Sequence, residues 1–165
     1  MKKLLIVSLL LAPHIPAFAE ETPISGLVQT RCLITTDTNG VFGNPLPSKL
    51  STASADGGVV PIVRYDVTLA DAYVAKVTTP TAFSSSPSLT DSVAWTGTTA
   101  VSKTSDAGMS GYEAAKVTYG YTTQFDLTIA GSTWFSSTAT AVYGGTKSFP
   151  GGSYTAIVVA ECIAK

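Results

Sequence analysis

Short β-branched or aromatic runs, separated by Gly, Pro, Asn, Asp or Ser, recur from Ile24 to the end of the chain. This period-two punctuation predicts strands and turns rather than helices. From Ile24 to Thr36 one parity carries Ile24, Gly26, Val28, Thr30, Cys32 and Ile34, and the other Ser25, Leu27, Gln29, Arg31 and Leu33, which predicts a strand with one cleaner apolar face. Asp37-Thr38-Asn39-Gly40 reads as a turn, Gly43 to Ser48 as an irregular segment and Asp56-Gly57-Gly58 as a break. Val59–Leu69 and Ala72–Thr79 are expected to form a hairpin around Ala70-Asp71, with Arg64, Asp66 and Thr68 facing water.

Pro80 to Pro87 is a Ser/Thr-rich loop, and Ser92 to Ser102 a strand through Val93, Trp95 and Val101. Tyr112 to Ala130, broken by Gly120, predicts two short strands or one bulged strand, with Glu113 to Lys116 readable instead as one helical turn. Thr133 to Tyr143 alternates again. After Pro150-Gly151-Gly152, the run Tyr154 to Ile163 predicts a closing strand that ends almost on the final residue. The expected fold is all-β, a sandwich of about seven strands in the range of an immunoglobulin-like domain.

Composition supports the pattern, since Ser and Thr are abundant and the good helix formers scarce. Residues 1–19 read as a secretory signal: Lys2 and Lys3, an apolar run from Leu4 to Ala12, and a small-x-small site at Ala17-Phe18-Ala19. That apolar run is shorter than the roughly 20 residues a spanning helix needs, and no later run approaches it. The remainder suffices for one domain with a real core and is short for two. The formal net charge is −1, and loss of Lys2 and Lys3 makes it two units more negative. The remaining Lys and Arg are scattered singly, which argues against a nucleic-acid surface.

Two cysteines in an exported chain leave Cys32 to Cys162 as the one available internal bridge, against separate thiols or pairing between chains. His14, the only histidine, lies in the signal, so the exported chain has no His for a triad, a metal or a pH switch. Asp66 with Asp71, or Asp37 with Asp56, are imaginable acid/base pairs, but no spacing makes either converge, and isolated carboxylates in β proteins are usually solvated. Asp37 and Asn39 lack the dense acidic spacing of a calcium loop. No catalytic, cofactor or metal residue is assigned. Trp95, Trp134 and nearby tyrosines offer a sugar-stacking alternative, although aromatics at alternating strand positions are more often core.

Residues 20–31 form an extended segment before the first cysteine. Such a segment is either the domain's own first strand or a strand given to a neighbour's sheet. The signal, this segment, the Thr/Ser/Ala-rich body and the run Gly152-Ser153-Tyr154-Thr155-Ala156-Ile157-Val158-Val159 together resemble fimbrial subunits of the bacterial chaperone and usher pathway. Gly43-Asn44-Pro45-Leu46-Pro47-Ser48-Lys49-Leu50 is similar to a stretch seen early in colonisation-factor-type pilins, with a fainter echo at Pro87-Ser88-Leu89-Thr90-Asp91.

The resemblance implies an immunoglobulin-like domain over residues 32–165 that lacks a strand, with residues 20–31 as donor segment. Ile24, Gly26 and Val28 would be the donor positions, and Tyr154, Ala156, Val158 and Ala160 the groove wall, paired before assembly with a periplasmic chaperone. It implies a non-enzymatic, cofactor-free structural subunit, delivered through the periplasm and an outer-membrane usher to the cell surface. Its partners would be identical or related pilins, with host or surface receptors met by exposed loops. The competing expectations are a self-complete secreted sandwich that binds carbohydrate and a small carboxylate hydrolase.

Overall fold

The computed structural model describes residues 31–144 and 147–165. The expected signal peptide and the donor positions Ile24, Gly26 and Val28 lie outside them. Among the described residues there are ten strands: β1 (Cys32–Thr38), β2 (Gly43–Leu46), β3 (Lys49–Ser51), β4 (Ile62–Val67), β5 (Tyr73–Thr78), β6 (Val93–Thr104), β7 (Val117–Tyr119), β8 (Thr122–Leu127), β9 (Gly131–Tyr143) and β10 (Val159–Ala164). The excess over the expected seven comes from β2, β3 and β7, pieces of three or four residues that periodicity cannot resolve.

The strands form an all-β sandwich of two antiparallel sheets. In the first, β9 is the spine: β6 runs along one side of it, while β4 and β3 share the other, β4 pairing with Gly131–Ser136 and β3 with Thr140–Val142. β1 adds outside β4, and β2 outside β3. The second sheet has the order β10-β5-β8-β7. One helical turn, α1 (Tyr112–Ala115), precedes β7.

The expected Val59–Leu69/Ala72–Thr79 hairpin is corrected, because β4 and β5 belong to different sheets. Each strand has one buried face, Val63, Tyr65 and Val67 on β4 and Ala75 and Val77 on β5, and these faces meet across the core instead of lying side by side. Alternation alone does not distinguish the two arrangements. Asp71 takes a positive φ of 56° in the connection. Asp37-Thr38-Asn39-Gly40 is no hairpin turn either: β1 runs through Thr38 with a bulge at Asp37, and the chain continues to a bridge between Val41 and Val59.

Buried side chains fall into two clusters. The larger, from Val63, Tyr65, Phe125 and Phe135, lies between β4, β9, β5 and β8. Tyr65 and Phe135 meet edge-on at 5.3 Å, and Phe135 packs on Phe125 at 4.2 Å. The smaller contains Leu50, Trp95, Ala139 and Ala141, with Phe42, Phe83, Phe149 and Tyr154 packed around them. Cys32 and Cys162 are joined in a disulfide, Cα to Cα 6.4 Å, which ties β1 of one sheet to β10 of the other.

Candidate functional site

The β1/β10 side of the sandwich is stapled at one end and open at the other. β10 begins only at Val159, so the expected closing strand from Tyr154 is shortened by five residues. The cause is β5, which pairs with β10 up to Thr78↔Val159 and then ends as the chain turns away at Pro80. Residues Tyr154 to Val158 therefore continue the line of β10 without a partner strand among the described residues. Among the described residues the backbone of Ala156, Ile157 and Val158 makes no hydrogen bond, and Thr155 is held only by the loop residues Ser84 and Ser85.

Opposite this run stands the outer edge of β1, which among the described residues pairs only with β4. Between the two lies an open groove of about 630 Å³, walled by Thr36 to Phe42 on one side and Gly152 to Val158 on the other. Leu50, Thr52, Val63 and Ala139 line its floor. Val63 belongs to the larger core cluster and Leu50 and Ala139 to the smaller, so the groove runs over the seam between them. Two strand edges that lack a partner strand among the described residues, over an apolar floor, are the features that accept an added strand: backbone groups supply bonding, and alternate side chains meet the core.

The four wall positions named from sequence sit on one face of this run. Tyr154 and Ala156 pack on the smaller cluster, Val158 and Ala160 on the larger. Between them Ile157 is 59% exposed and Val159 48%. The Tyr65 hydroxyl steadies the wall from across the core, within 3.0 Å of the Lys76 carbonyl and 3.2 Å of the Glu161 carbonyl. Burial pushes this phenol well above its ordinary pKa, so it stays a donor.

The Gly43–Leu50 stretch is the tight β2–β3 connection. The Asn44 side-chain amide donates to the carbonyls of Leu46 and Lys49, at 2.9 and 3.0 Å. A Cβ on Gly43 would lie 2.1 Å from the Asp56 carbonyl oxygen, so only glycine lets β2 cross the 54–56 turn. Lys49 meets Asp56 at 2.8 Å across the same crossing and, with Ser51, lowers the Asp56 pKa. The result delivers Leu50 to the groove floor.

The far side of the sandwich is closed. Glu113 on α1 accepts the Val101 N–H at 2.8 Å, Lys116 donates to the Thr99 carbonyl at 3.0 Å, and the Tyr121 hydroxyl donates to the Trp95 carbonyl at 2.9 Å. These side chains occupy outward backbone groups of the β6 edge and leave it little to offer another strand. The sequence offers the helical turn only as an alternative to strand and says nothing of this role, because nothing local tells which edge a turn will cover.

The acidic residues considered for catalysis are dispersed. Asp66 binds Arg64 and Ser132 on the outer face of β4, Asp71 and Asp126 hold Lys165, Asp37 accepts from the Trp134 indole, and Asp56 meets Lys49. Among the described residues no three Asp, Glu, Cys or His come together as metal ligands. Trp95 is 7% exposed beneath Phe83 and Phe42, while Arg64 and Lys103 lie against the Trp134 ring. No helix among the described residues is long and apolar enough to cross a membrane. No protein-family model matches the chain, and neither a curated protein nor a solved structure is significantly similar to it.

Proposed function

We propose that this protein is a structural subunit of a bacterial surface fimbria, an immunoglobulin-like domain short of one strand that polymerises by accepting residues 20–31 of another subunit. The observation that carries the reading is the open groove between β1 and residues 152–158, with its apolar floor and with no strand between its walls among the described residues. Ile24, Gly26 and Val28 would face the floor at period two, Ile24 and Val28 covering the apolar seam and Gly26 letting the backbones approach. A periplasmic chaperone would cover the same wall before assembly, an usher would pass subunits outward, and exposed loops would meet a host or surface receptor. The chemistry needed is strand addition alone, with no cofactor.

The test uses the exported chain and a form lacking residues 20–30. The full chain should run as a ladder of detergent-resistant oligomers that collapses on boiling. The shortened form should stay monomeric and rise in melting temperature by several degrees when the synthetic peptide 20–30 is added. A full chain that is monomeric under all conditions, with no response of the shortened form to the peptide, would sink the reading.

A further inference from the structure

If a donated strand fills the groove, it can come from the same chain or from another copy. We propose that the Cys32–Cys162 disulfide makes this choice: it bars the chain's own N-terminal segment and so commits residues 20–30 to a neighbour. The inference rests on the strand-donation reading above.

The staple sits at the end of the groove where the chain's own segment departs. Arg31 still follows β4, donating to the Thr68 side chain at 3.0 Å and accepting the Thr68 N–H at 3.1 Å, so it lies past the staple, on the side away from the groove. At the staple the Cα atoms of β1 and β10 are 6.4 Å apart. A strand bonded to both walls needs twice the interstrand spacing, about 9.6 Å. No strand fits between the walls at that level.

The groove itself begins four residues further in, at Thr36 on β1 and Val158 on the opposite wall. That is about 13 Å of strand. A segment returning into its own groove must spend roughly two to four residues on the reversal and about four more on clearing the staple. Of residues 20–30, only three to five or so then remain to pair, too few for Ile24, Gly26 and Val28 to engage together. A segment from a second copy enters at the open end and can use its full length. It would run antiparallel to β10 and parallel to β1, with the donor's body beyond the open end. The next segment leaves from the stapled end, so copies line up head to tail.

The expectation is tested by the full exported chain as wild type, as C32S/C162S, and with eight Gly/Ser residues inserted between Thr30 and Arg31 and the disulfide kept. Each is scored for the detergent-resistant ladder and, in its monomer fraction, for protease protection of residues 20–30 by mass spectrometry. Wild type should give the ladder, with the segment of residual monomers cleaved. C32S/C162S frees the walls to part, and the insertion supplies reach at high local concentration. Both should lose at least tenfold of the ladder and yield monomers with a protected segment. A ladder from the insertion variant equal to wild type, with its monomers cleaved as readily, overturns the staple's role and leaves strand donation standing. That arm keeps the disulfide and decides the question even if C32S/C162S fails to fold. Absence of a ladder from wild type overturns strand donation itself, and this inference with it.

Discussion

Replacing Tyr65 with Phe isolates one atom that couples the core to the groove wall. The ring is fully buried and packs on Phe135 at 5.3 Å, contacts that Phe retains. What goes is a hydroxyl within bonding distance of the carbonyls of Lys76 and Glu161, directly opposed residues of β5 and β10. The hydroxyl has one proton and both carbonyls belong to a paired ladder, so neither acceptor is stranded. The loss is therefore about one net hydrogen bond, roughly 1 kcal/mol. For a domain of this size that is about 2–6 °C in melting temperature.

The same atom has an alkaline signature. Tyrosine ionises at 10.0 in the unfolded chain, and burial raises it well above that in the folded one. The folded state then holds a proton that the unfolded state has lost. Stability is full below pH 10 and falls as pH rises beyond it. Urea melts of the peptide-filled domain at pH 7 and pH 11 measure both effects. Tyr65→Phe should lower stability at pH 7 with an unchanged urea slope, and should lose less than wild type on going to pH 11. Unchanged or higher stability at pH 7, with the same alkaline loss as wild type, would refute the role assigned to the hydroxyl.

Removing two of the three side chains that cap β6, as Glu113→Ala with Lys116→Ala, should give concentration-dependent association by light scattering that persists without residues 20–30, because the stretch around Thr99 and Val101 is then open as a second edge. Burial pushes the Glu113 carboxyl up, but bonds from Lys116 and the Val101 amide outweigh it and hold the group below its ordinary value of 4.5. Its contribution is thus full above pH 4.5 and is lost as pH falls through the lowered value, and Glu113→Gln should flatten that part of the acid stability profile. Gly43→Ala should cost about 3 kcal/mol in urea melts, because its Cβ meets backbone at 2.1 Å, which no rotamer change relieves. Reducing the disulfide under native conditions should lower stability by about 5 kcal/mol on the chain-entropy model, the closed loop spanning a separation of 130 residues.

Much of the fold was legible along the chain because the period of two and the turn residues are local. The runs that became β6, β8 and β9 were placed within a few residues, and the break at Gly120 fell at a left-handed turn between β7 and β8. Once a bridge within the chain is expected, as in an exported protein, the pairing of Cys32 with Cys162 follows from there being only two cysteines. Partnership between strands was not legible. Val59–Leu69 and Ala72–Thr79 alternate as a hairpin would, yet one strand went to each sheet, because two half-apolar faces can meet across a core as well as beside one another.

The candidate site divides the same way. Alternation put Tyr154, Ala156, Val158 and Ala160 on one face, a property of backbone geometry that no neighbour can change. That this face borders a groove depends on β5 ending at Pro80, on β1 standing across the gap, and on a disulfide closing one end. That the far edge is quiet depends on Glu113, Lys116 and Tyr121 reaching backbone groups of β6, 12 to 26 residues away in sequence. Local pattern sets which way a side chain points, whereas an unfilled space and a capped edge are relations among segments distant in the chain and exist only once the sheets have packed.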